Sequence, residues 1–448
     1  MTSAAEQFAS NMSLSSFAKA DELKKRLLFA LGALVVYRLG TYIPIPGVNA
    51  EVFAQAFGDQ SGGLLGTFNL FAGGAVERMA IFALNIMPYI SASIIMQMMA
   101  AIIPSLEAIK KEGEQGRQQI NKYTRYLTVV LAALQGLFIA QTLMAPGADG
   151  QTAAINPGIF FLFTTTVTLV GGVMFLLWLG EQITSRGIGN GVSLIIFSGI
   201  VAELPRALAG MFSQARTGVL PVGVLLVVGV MAIALIAFVV FIERSQRRLL
   251  VQYPRRQQGN RMVQGEKSHL PLKLNTAGVI PPIFASSLLF LPATAVGAVG
   301  EDAPTWLSDL ASTFYPGQLA YMLTYAVGII FFCFLYTSIV FNPSDTADNL
   351  KKYGGYIQGY RPGARTADYI DFVLTRLTVI GAAYLTFVCL LPELLRSQVS
   401  GIPVYLGGTS LLIVVTVTLD TVQQIQGHLL AQQYESLIKK SKLRGGRR

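Results

Sequence analysis

Charged side chains are scarce in this chain. Asp, Glu, Lys and Arg make up 13% of its 448 residues, whereas 52% of the residues are hydrophobic. A soluble globular protein carries about 25% charged residues. The shortage of charge therefore excludes a soluble protein and predicts a polytopic membrane protein.

Cysteine and histidine are scarce as well, with two residues of each. Cys333 and Cys389 lie in apolar runs without metal-ligand or redox spacing, which predicts two small core residues. His269 and His428 are too few, and too close to the predicted cytoplasmic side, for a proton relay or a metal site. No glycine-rich run ends in the Gly-Lys-Ser/Thr of a phosphate-binding loop. We therefore expect no catalytic residue, no metal and no other cofactor.

Long apolar runs dominate what is present. Interfacial residues flank each run, as they do in membrane-spanning helices. The predicted spans are ten: Leu27–Tyr42, Met79–Ile103, Tyr126–Met144, Phe160–Leu179, Val192–Ala209, Val219–Ile242, Ala277–Val296, Leu319–Phe341, Leu377–Leu395 and Thr409–Ile425.

The distribution of basic residues orients these spans. With both termini on one side, that side holds all but five of the 34 Lys and Arg residues. Because cytoplasmic loops carry the excess of positive charge, we predict that both termini are cytoplasmic. The five exceptions are Arg38, Arg78, Arg206, Arg216 and Arg396.

The chain contains a weak internal repeat, which indicates two halves. Residues 86–95 match residues 280–289 without a gap, with Ile, Pro and Ser at the first, third and eighth places. The two segments lie in spans two and seven, which run in opposite directions, and inverted repeats place a pathway at their interface. The predicted divisions are a cytoplasmic tail (1–26), a half with helices 1–5 (27–211), a half with helices 6–10 and cytoplasmic loops 243–275 and 342–376 (212–427), and a basic tail (428–448).

The segment before the second span is unusual. Residues 62–74 are apolar and rich in glycine but too short to cross, and the following helix is predicted to run from Met79 to Leu106 without a charge. Short or irregular segments at membrane depth require a protein-lined or water-filled cavity. The sequence therefore predicts such a cavity.

Several ordered motifs match one family over nearly the whole chain. By these motifs the chain resembles the SecY family, the central subunit of the bacterial protein-conducting channel. The motifs are Tyr42–Gly47, Ile86–Ser93, Ile109–Glu114, Trp178–Thr184, Gly187–Gly191, Phe341–Pro343, Thr346–Lys352 and Gly407–Ile413.

The resemblance implies an all-α polytopic membrane protein with ten transmembrane helices. Two inverted halves of five helices would form a clamshell around an hourglass pore, with a short plug helix in the outer funnel. Unfolded secretory polypeptides would cross through the pore. Membrane helices would leave sideways, between helices 2 and 3 on one side and 7 and 8 on the other.

By the same resemblance, six aliphatic residues form the pore ring. Branched apolar side chains can close around any polypeptide, and a narrow apolar constriction disfavours water and ions. The alternative is that these residues simply face lipid. The ring residues are Ile86, Ile90, Val192, Ile196, Ile283 and Ile413, and Val192 stands where the family leads us to expect isoleucine.

The plug is predicted at residues 62–74. Its flanking glycines permit a positive φ and would act as hinges, and its apolar body would dock under the ring. The alternative is an external hairpin that packs on the bundle. The residues concerned are Gly62, Leu64, Leu65, Phe68, Leu70, Phe71 and Gly74.

Three polar residues are candidates for the lateral gate. Ser91, Gln135 and Asn275 lie in or near helices 2, 3 and 7. Hydrogen bonds between membrane helices are worth about 0.6 to 2 kcal/mol, which an entering apolar segment can replace. The alternative is permanent structural bonds.

Basic residues in the cytoplasmic loops are the predicted docking surface. They fit ribosomal RNA phosphate and an acidic patch on an ATPase, and the alternative is anionic lipid headgroups. The residues are Arg247, Arg255, Arg256, Arg261, Lys351, Lys352, Arg361 and Arg365. The resemblance implies that Arg361 matters most for the SecA motor, whereas Asn260 stands where another basic residue is expected.

The implied assembly lies in the bacterial cytoplasmic membrane. Its partners would be the small subunits SecE and SecG, the ATPase SecA, the ribosome with its RNA, unfolded preproteins with their signal sequences, and anionic lipids. The chain itself would be a passive channel driven by the ATPase, the ribosome or the membrane potential. A secondary transporter would need intramembrane charges or polar ion sites, and an intramembrane hydrolase a catalytic constellation. The predicted spans contain few charged or polar residues that could form an ion site and no convincing catalytic constellation.

Overall fold

The computed structural model describes nine stretches of the chain. These are residues 21–54, 64–144, 152–218, 221–253, 256–258, 261–263, 267–299, 318–398 and 407–445. Gly62 and Arg255 lie outside the described residues, and so does Asn260.

Helices make up most of these stretches. They are α1 (Asp21–Gly40), α2 (Leu64–Phe71), α3 (Met87–Ile102), α4 (Pro104–Lys111), α5 (Glu114–Met144), α6 (Ile159–Arg186), α7 (Gly191–Arg216), α8 (Val222–Arg244), α9 (Ile280–Val299), α10 (Leu319–Val340), α11 (Pro343–Lys352), α12 (Ala364–Gln398) and α13 (Gly408–Gly445).

Each of the ten predicted spans overlaps one of these helices. Within the described residues, seven helices are long and apolar enough to cross a membrane: α5, α6, α7, α8, α10 continued by α11, α12 and α13. The bent pair α3 and α4 makes an eighth if it is counted as one span. The chain is therefore a multi-pass helical protein.

The predicted continuous helix from Met79 to Leu106 is wrong. Helix α3 has 16 residues, and it meets α4 at a bend of 100°. The C-terminal break is at Ile103, because the following Pro104 disfavours helical backbone in the residue before it.

The N-terminal part of that predicted helix pairs with another segment instead. Ile45 N donates to Met79 O at 2.9 Å, and Ile81 N donates to Ile43 O at 2.9 Å. The backbone groups that would extend α3 are thus used in an extended pairing with the Tyr42–Gly47 motif. Met79 and Asn85 have positive φ angles of 44° and 48°, which a right-handed helix excludes.

The structure divides into two compact units. Unit 1 comprises Met1–Tyr89, Tyr126–Leu208 and Val414–Arg448, and unit 2 comprises Ile90–Arg125 and Ala209–Ile413. The units are defined by the contacts within each of them. They do not test the two inverted halves, which stay a prediction.

Unit 2 contains strands in the two segments that are predicted to be cytoplasmic loops. They are β1 (Gln246–Gln252), β2 (Arg256–Gln258), β3 (Arg261–Val263), β4 (Lys267–Lys273) and β5 (Tyr356–Ile357). Strand β1 pairs antiparallel with β4 and with β5, and β2 pairs with β3. The β1–β5 pairing joins the two predicted loops into one sheet.

An apolar cluster fixes this sheet on the helices of unit 2. Leu249 and Val251 of β1, Leu272 of β4 and Ile357 of β5 are buried against Ile370 and Leu377 of α12. Arg247 and Arg248 of β1 are both exposed. Because side chains alternate along a strand, Arg248 lies on the face opposite Leu249 and Val251, whereas Arg247 lies on the same face beyond the end of the cluster.

Candidate functional site: helix α2 and its anchoring residues

Helix α2 is short and apolar, and two glycines terminate it. Gly73 and Gly74 have φ angles of 64° and 79°. Gly74 N donates to Asn69 O at 3.0 Å, and Gly73 N donates to Leu70 O at 3.1 Å. These two bonds form a Schellman motif, which requires a left-handed residue that glycine adopts without steric cost.

Side chains donate to the next three carbonyls, of which Ala72 O also accepts from Ala75 N at 3.3 Å. Asn85 Nδ2 donates to Phe71 O, Tyr37 OH donates to Ala72 O at 3.3 Å, and Arg38 Nη1 donates to Gly73 O at 2.5 Å. Such bonds are worth about 0.5 to 1.5 kcal/mol for neutral groups and about 1.5 to 3 kcal/mol for charged ones. A cation at this end also complements the helix dipole. Side chains of unit 1 thus hold the C-terminus of α2.

A buried carboxylate organises the arginine at this end. The side chain of Glu203, on α7, is 2% exposed. Its Oε1 atom accepts from Arg38 Nη2 at 3.1 Å and from Arg78 Nη2 at 3.2 Å, and Oε2 lies 4.0 Å from Arg206 Nη1. We call these four residues the Glu203 cluster. A buried carboxylate is stable only when it is paired and hydrogen-bonded in this way.

A second branch ties α2 to the same cluster through Asn69. Asn69 Oδ1 accepts from Glu77 N at 3.0 Å, and the Glu77 carboxylate accepts two bonds from Arg206 at 2.9 and 3.2 Å. The guanidinium of Arg78 also lies 4.3 Å from the ring centroid of Tyr42, a cation–π contact.

The structure describes two of the five apolar side chains of the predicted plug. Leu70 and Phe71 are 1% and 2% exposed, so this part of α2 is fully packed. The side chains of Leu64, Leu65 and Phe68 lie outside the described residues, although their backbone belongs to α2.

The six predicted ring residues are buried or half-buried, and none is strongly exposed. Ile86, Ile196, Ile283 and Ile413 are between 0% and 5% exposed, and Ile90 and Val192 are half-buried. Val192 and Ile196 share one face of α7, as the spacing predicts. Ile86 and Ile90 do not share a helix, because Ile86 precedes the first residue of α3. Unit 1 holds Ile86, Val192 and Ile196, and unit 2 holds the others.

The three predicted gate residues have different surroundings. Ser91, on α3, is half-buried. Gln135, on α5, has a buried amide oxygen that finds no hydrogen-bond partner within the described part of the chain. Asn275 is 3% exposed, and its Nδ2 atom donates to Glu243 Oε1 at 2.8 Å and to Gly278 O at 3.1 Å. Asn275 thus stabilises the turn between β4 and α9 within unit 2.

The described residues of the predicted docking surface all belong to unit 2. The exposed members are Arg247 on β1, Lys351 and Lys352 on α11, Arg361 in the loop before α12 and Arg365 in the first turn of α12, and we call them the basic face. Arg256 and Arg261 belong to the paired strands β2 and β3, and their side chains lie outside the described residues. The loop of Arg361 is held by Thr366 Oγ1, which donates to Arg361 O at 2.8 Å.

Sequence reasoning missed Glu203, Glu77, Asn85 and Tyr37 as members of the site. One signal was available, because an acidic residue in an apolar span marks a functional-site candidate. Three of the five arginines that break the positive-inside pattern lie in the Glu203 cluster. Their partners could not be read from spacing, since Arg38 and Glu203 are 165 residues apart.

These features define the class of the protein. It is a multi-pass helical membrane protein in which a short apolar helix is anchored before a broken span.

Comparisons with known proteins identify the family. The model of the SecY family matches residues 80–422. The protein translocase subunit SecY of Escherichia coli (strain K12) is 55% identical over 426 residues, which cover 95% of this chain and 96% of that protein. The chain belongs to the SecY family. The predicted family is confirmed, and so is the predicted class of function, a subunit of a protein-conducting channel.

Solved structures share the fold. One describes how the plug domain of the SecY protein stabilizes the closed state of the translocation channel; its TM-score is 0.61 at 17% identity, covering 90% of this chain and 92% of that one. Another is Sec61 in the canine ribosome-channel complex from the endoplasmic reticulum, with a TM-score of 0.59 at 17% identity and the same coverage. The predicted fold class, an all-α polytopic membrane protein with the fold of SecY channels, is therefore confirmed, whereas the count of ten helices stays a prediction.

Proposed function

We propose that this chain passes unfolded secretory polypeptides across the bacterial cytoplasmic membrane and releases transmembrane helices sideways into it. In the resting state, α2 is the plug that closes the pathway. The observation that carries this proposal is the short apolar helix of a SecY-family chain, which is anchored at one end before a broken span. Such a helix can seal the pore at rest and leave it when the anchor opens.

The ring of Ile86, Ile90, Val192, Ile196, Ile283 and Ile413 is the constriction. Their burial supports this assignment, because lipid-facing aliphatics on this chain are strongly exposed. Val230 on α8, for example, is 67% exposed, whereas Ile283 is 5% exposed. Branched side chains of this kind can fit around any unfolded segment without hydrogen bonds to it.

Ser91, Gln135 and Asn275 are the polar residues of the lateral gate. The buried amide oxygen of Gln135 supports the assignment, because a buried polar atom that has no hydrogen-bond partner among the described residues gains free energy from any donor that reaches it. An entering segment or an opposing helix could supply that donor. For Asn275 the bonds to Glu243 and Gly278 favour a structural contribution beside the gating one.

The basic face is where the driving partners dock on the cytoplasmic side. A relative of the same fold is described in a ribosome-channel complex, which supports a ribosome as one partner. SecA is the other, with Arg361 as its main contact, and SecE and SecG are the small membrane subunits. The chain is a passive conduit, and the ATPase, the ribosome or the membrane potential supplies the free energy.

The experiment that tests the plug is the deletion of Leu64–Ala72. We expect the variant to fold and its resting ion conductance in planar bilayers to rise about tenfold or more, because the apolar seal is lost. A matched variant replaces the same residues with Gly and Ser, so that the chain length is kept and the apolar body is removed. It should leak as well. An unchanged conductance in both variants would contradict the plug.

A further inference from the structure

Three of the five arginines that break the positive-inside pattern meet at one acidic residue. Arg38, Arg78 and Arg206 come from separate segments of unit 1, and all three lie within 4.0 Å of the Glu203 carboxylate. The predicted topology places this cluster on the non-cytoplasmic side, where the chain carries few basic residues. It surrounds the junction Gly73-Gly74, where α2 joins the rest of the chain.

We propose that the Glu203 cluster is a latch on the plug, with Glu203 as the positioning residue that holds Arg38 on the end of α2. This proposal rests on the proposed function of α2. It adds the residues that set how readily the plug leaves its closed position.

The geometry of Arg38 is the first argument. Its guanidinium uses Nη2 to donate to Glu203 Oε1 and Nη1 to donate to Gly73 O. The planar group therefore bridges the buried carboxylate and the helix end. The Arg38 side chain is 23% exposed, so that without the carboxylate it can turn towards water and release the Gly73 carbonyl.

The position of Gly74 is the second argument. A Cβ atom on Gly74 would lie 2.5 Å from Glu203 Oε1 and 2.9 Å from Arg78 Nη2. The backbone at Gly74 thus packs directly on the charged groups. Movement of α2 about this junction must change the contacts of Glu203.

The partial exposure of the arginines is the third argument, because it makes the latch reversible. Arg38, Arg78 and Arg206 are 23%, 26% and 60% exposed, whereas Glu203 is 2% exposed. Water can replace the bonds of the arginines as the junction opens. Glu203 keeps its place on α7 throughout.

The test measures release of the junction directly. Ala72 is 0% exposed, so a cysteine in its place reacts with a membrane-impermeant maleimide only when the end of α2 leaves its site. In the full chain with Ala72→Cys, we expect Glu203→Gln to raise the labelling rate about tenfold and to raise the resting ion conductance. The matched control is Glu22→Gln, which removes an exposed ion pair with Arg26 on α1. It should leave the labelling rate and the resting ion conductance unchanged.

A second reporter separates release of the plug from general loosening. Ala154 is 2% exposed and lies in unit 1, so Ala154→Cys reports on the packing of the same unit. Its labelling should not change with Glu203→Gln. Equal acceleration at Ala72 and Ala154, or no acceleration at Ala72, would overturn the latch.

A second pair of variants keeps the proposal testable if Glu203→Gln does not fold. Arg78→Gln should accelerate labelling at Ala72, whereas Arg78→Lys keeps the positive charge and should restore most of the slow rate. Equal rates for the two would overturn the proposal. If deletion of Leu64–Ala72 causes a leak but Glu203→Gln does not, the latch fails alone; if the deletion causes no leak, the proposed plug fails.

Discussion

Two groups of basic residues in this chain have the same charge and opposite surroundings. In the Glu203 cluster of unit 1, all three arginines are paired with carboxylates, and two of them, Arg38 and Arg78, are partly buried. The basic face of unit 2 is exposed on a small sheet and two helix ends. The comparison teaches that burial and partners, rather than the sign of the charge, decide what a basic residue does in this protein.

The difference follows from electrostatics. Exposed charges are screened by salt within about 8 to 10 Å at physiological ionic strength, whereas buried pairs are screened much less. Exposed basic residues can therefore bind and release large anionic partners. The paired arginines in unit 1 instead hold one backbone junction.

Salt should separate the two groups most strongly. Ribosome binding to the basic face should weaken about a thousandfold between ~50 and ~200 mM salt if six or more phosphates are contacted. The labelling rate of Ala72→Cys over the same salt range should change less than about twofold. The ion pairs that hold the junction are made to the buried Glu203 carboxylate, and buried pairs are screened little by salt. Binding by cosedimentation and labelling by mass shift measure the two. Equal salt dependence would remove the distinction.

Reversal of one charge on the basic face should give the next largest effect. We expect Arg361→Glu to lower ATPase-driven translocation about tenfold, because it places a like charge against an acidic partner. Arg216→Glu, an exposed arginine at the end of α7, is the matched control and should retain activity. The yield of protected precursor in proteoliposomes measures both. Equal loss in the two variants would argue against a specific contact.

A single methyl group at the junction tests the packing in unit 1. Gly74→Ala introduces a left-handed alanine and a clash with Glu203 Oε1, so we expect a loss of about 1 to 3 kcal/mol in the free energy of unfolding and a several-fold higher resting conductance. Gly210→Ala on α7 is the control, since a Cβ there meets nothing within 4 Å. A Gly74→Ala channel as stable and as tight as the control would contradict the described junction.

A carboxylate of unit 2 outside both groups gives the last prediction, which concerns stability and signal recognition rather than the resting seal. Glu243 in unit 2 accepts from the Asn275 amide and, at 3.4 Å, from Tyr384 OH. Asn275→Leu removes the amide donor, and we expect about 1 to 3 kcal/mol lower stability together with a shifted hydrophobicity threshold for signal sequences. Thr276→Val, at an exposed neighbour, is the control. Lower stability with an unchanged threshold would make Asn275 purely structural.

Much of the fold could be predicted from the sequence. Apolar runs and basic loops follow from the free energy of membrane insertion, which acts on each segment locally, and so all ten predicted spans overlap helices. The glycines after α2 also carry local information, since a Schellman motif needs a left-handed residue where Gly73 lies.

The remainder depends on pairings between distant segments. The length of α3 could not be predicted, because Met79 and Ile81 bond to Ile45 and Ile43 rather than continuing the helix. The sheet of unit 2 pairs Val251 with Ile357 across more than a hundred residues. Glu203 was missed for the same reason. The arginines that pair with it come from other segments, and only the fold brings them into contact with its carboxylate.

The most direct test of the conduit is a crosslink between the chain and a precursor stalled in translocation. A photoreactive residue at Ile86 or at Ile283 should crosslink to the precursor, and one at Val230, which is 67% exposed on α8, should not. Crosslinks at both buried positions would support a polypeptide pathway past the ring. Failure at Ile86 or Ile283, or equal crosslinking at Val230, would contradict it.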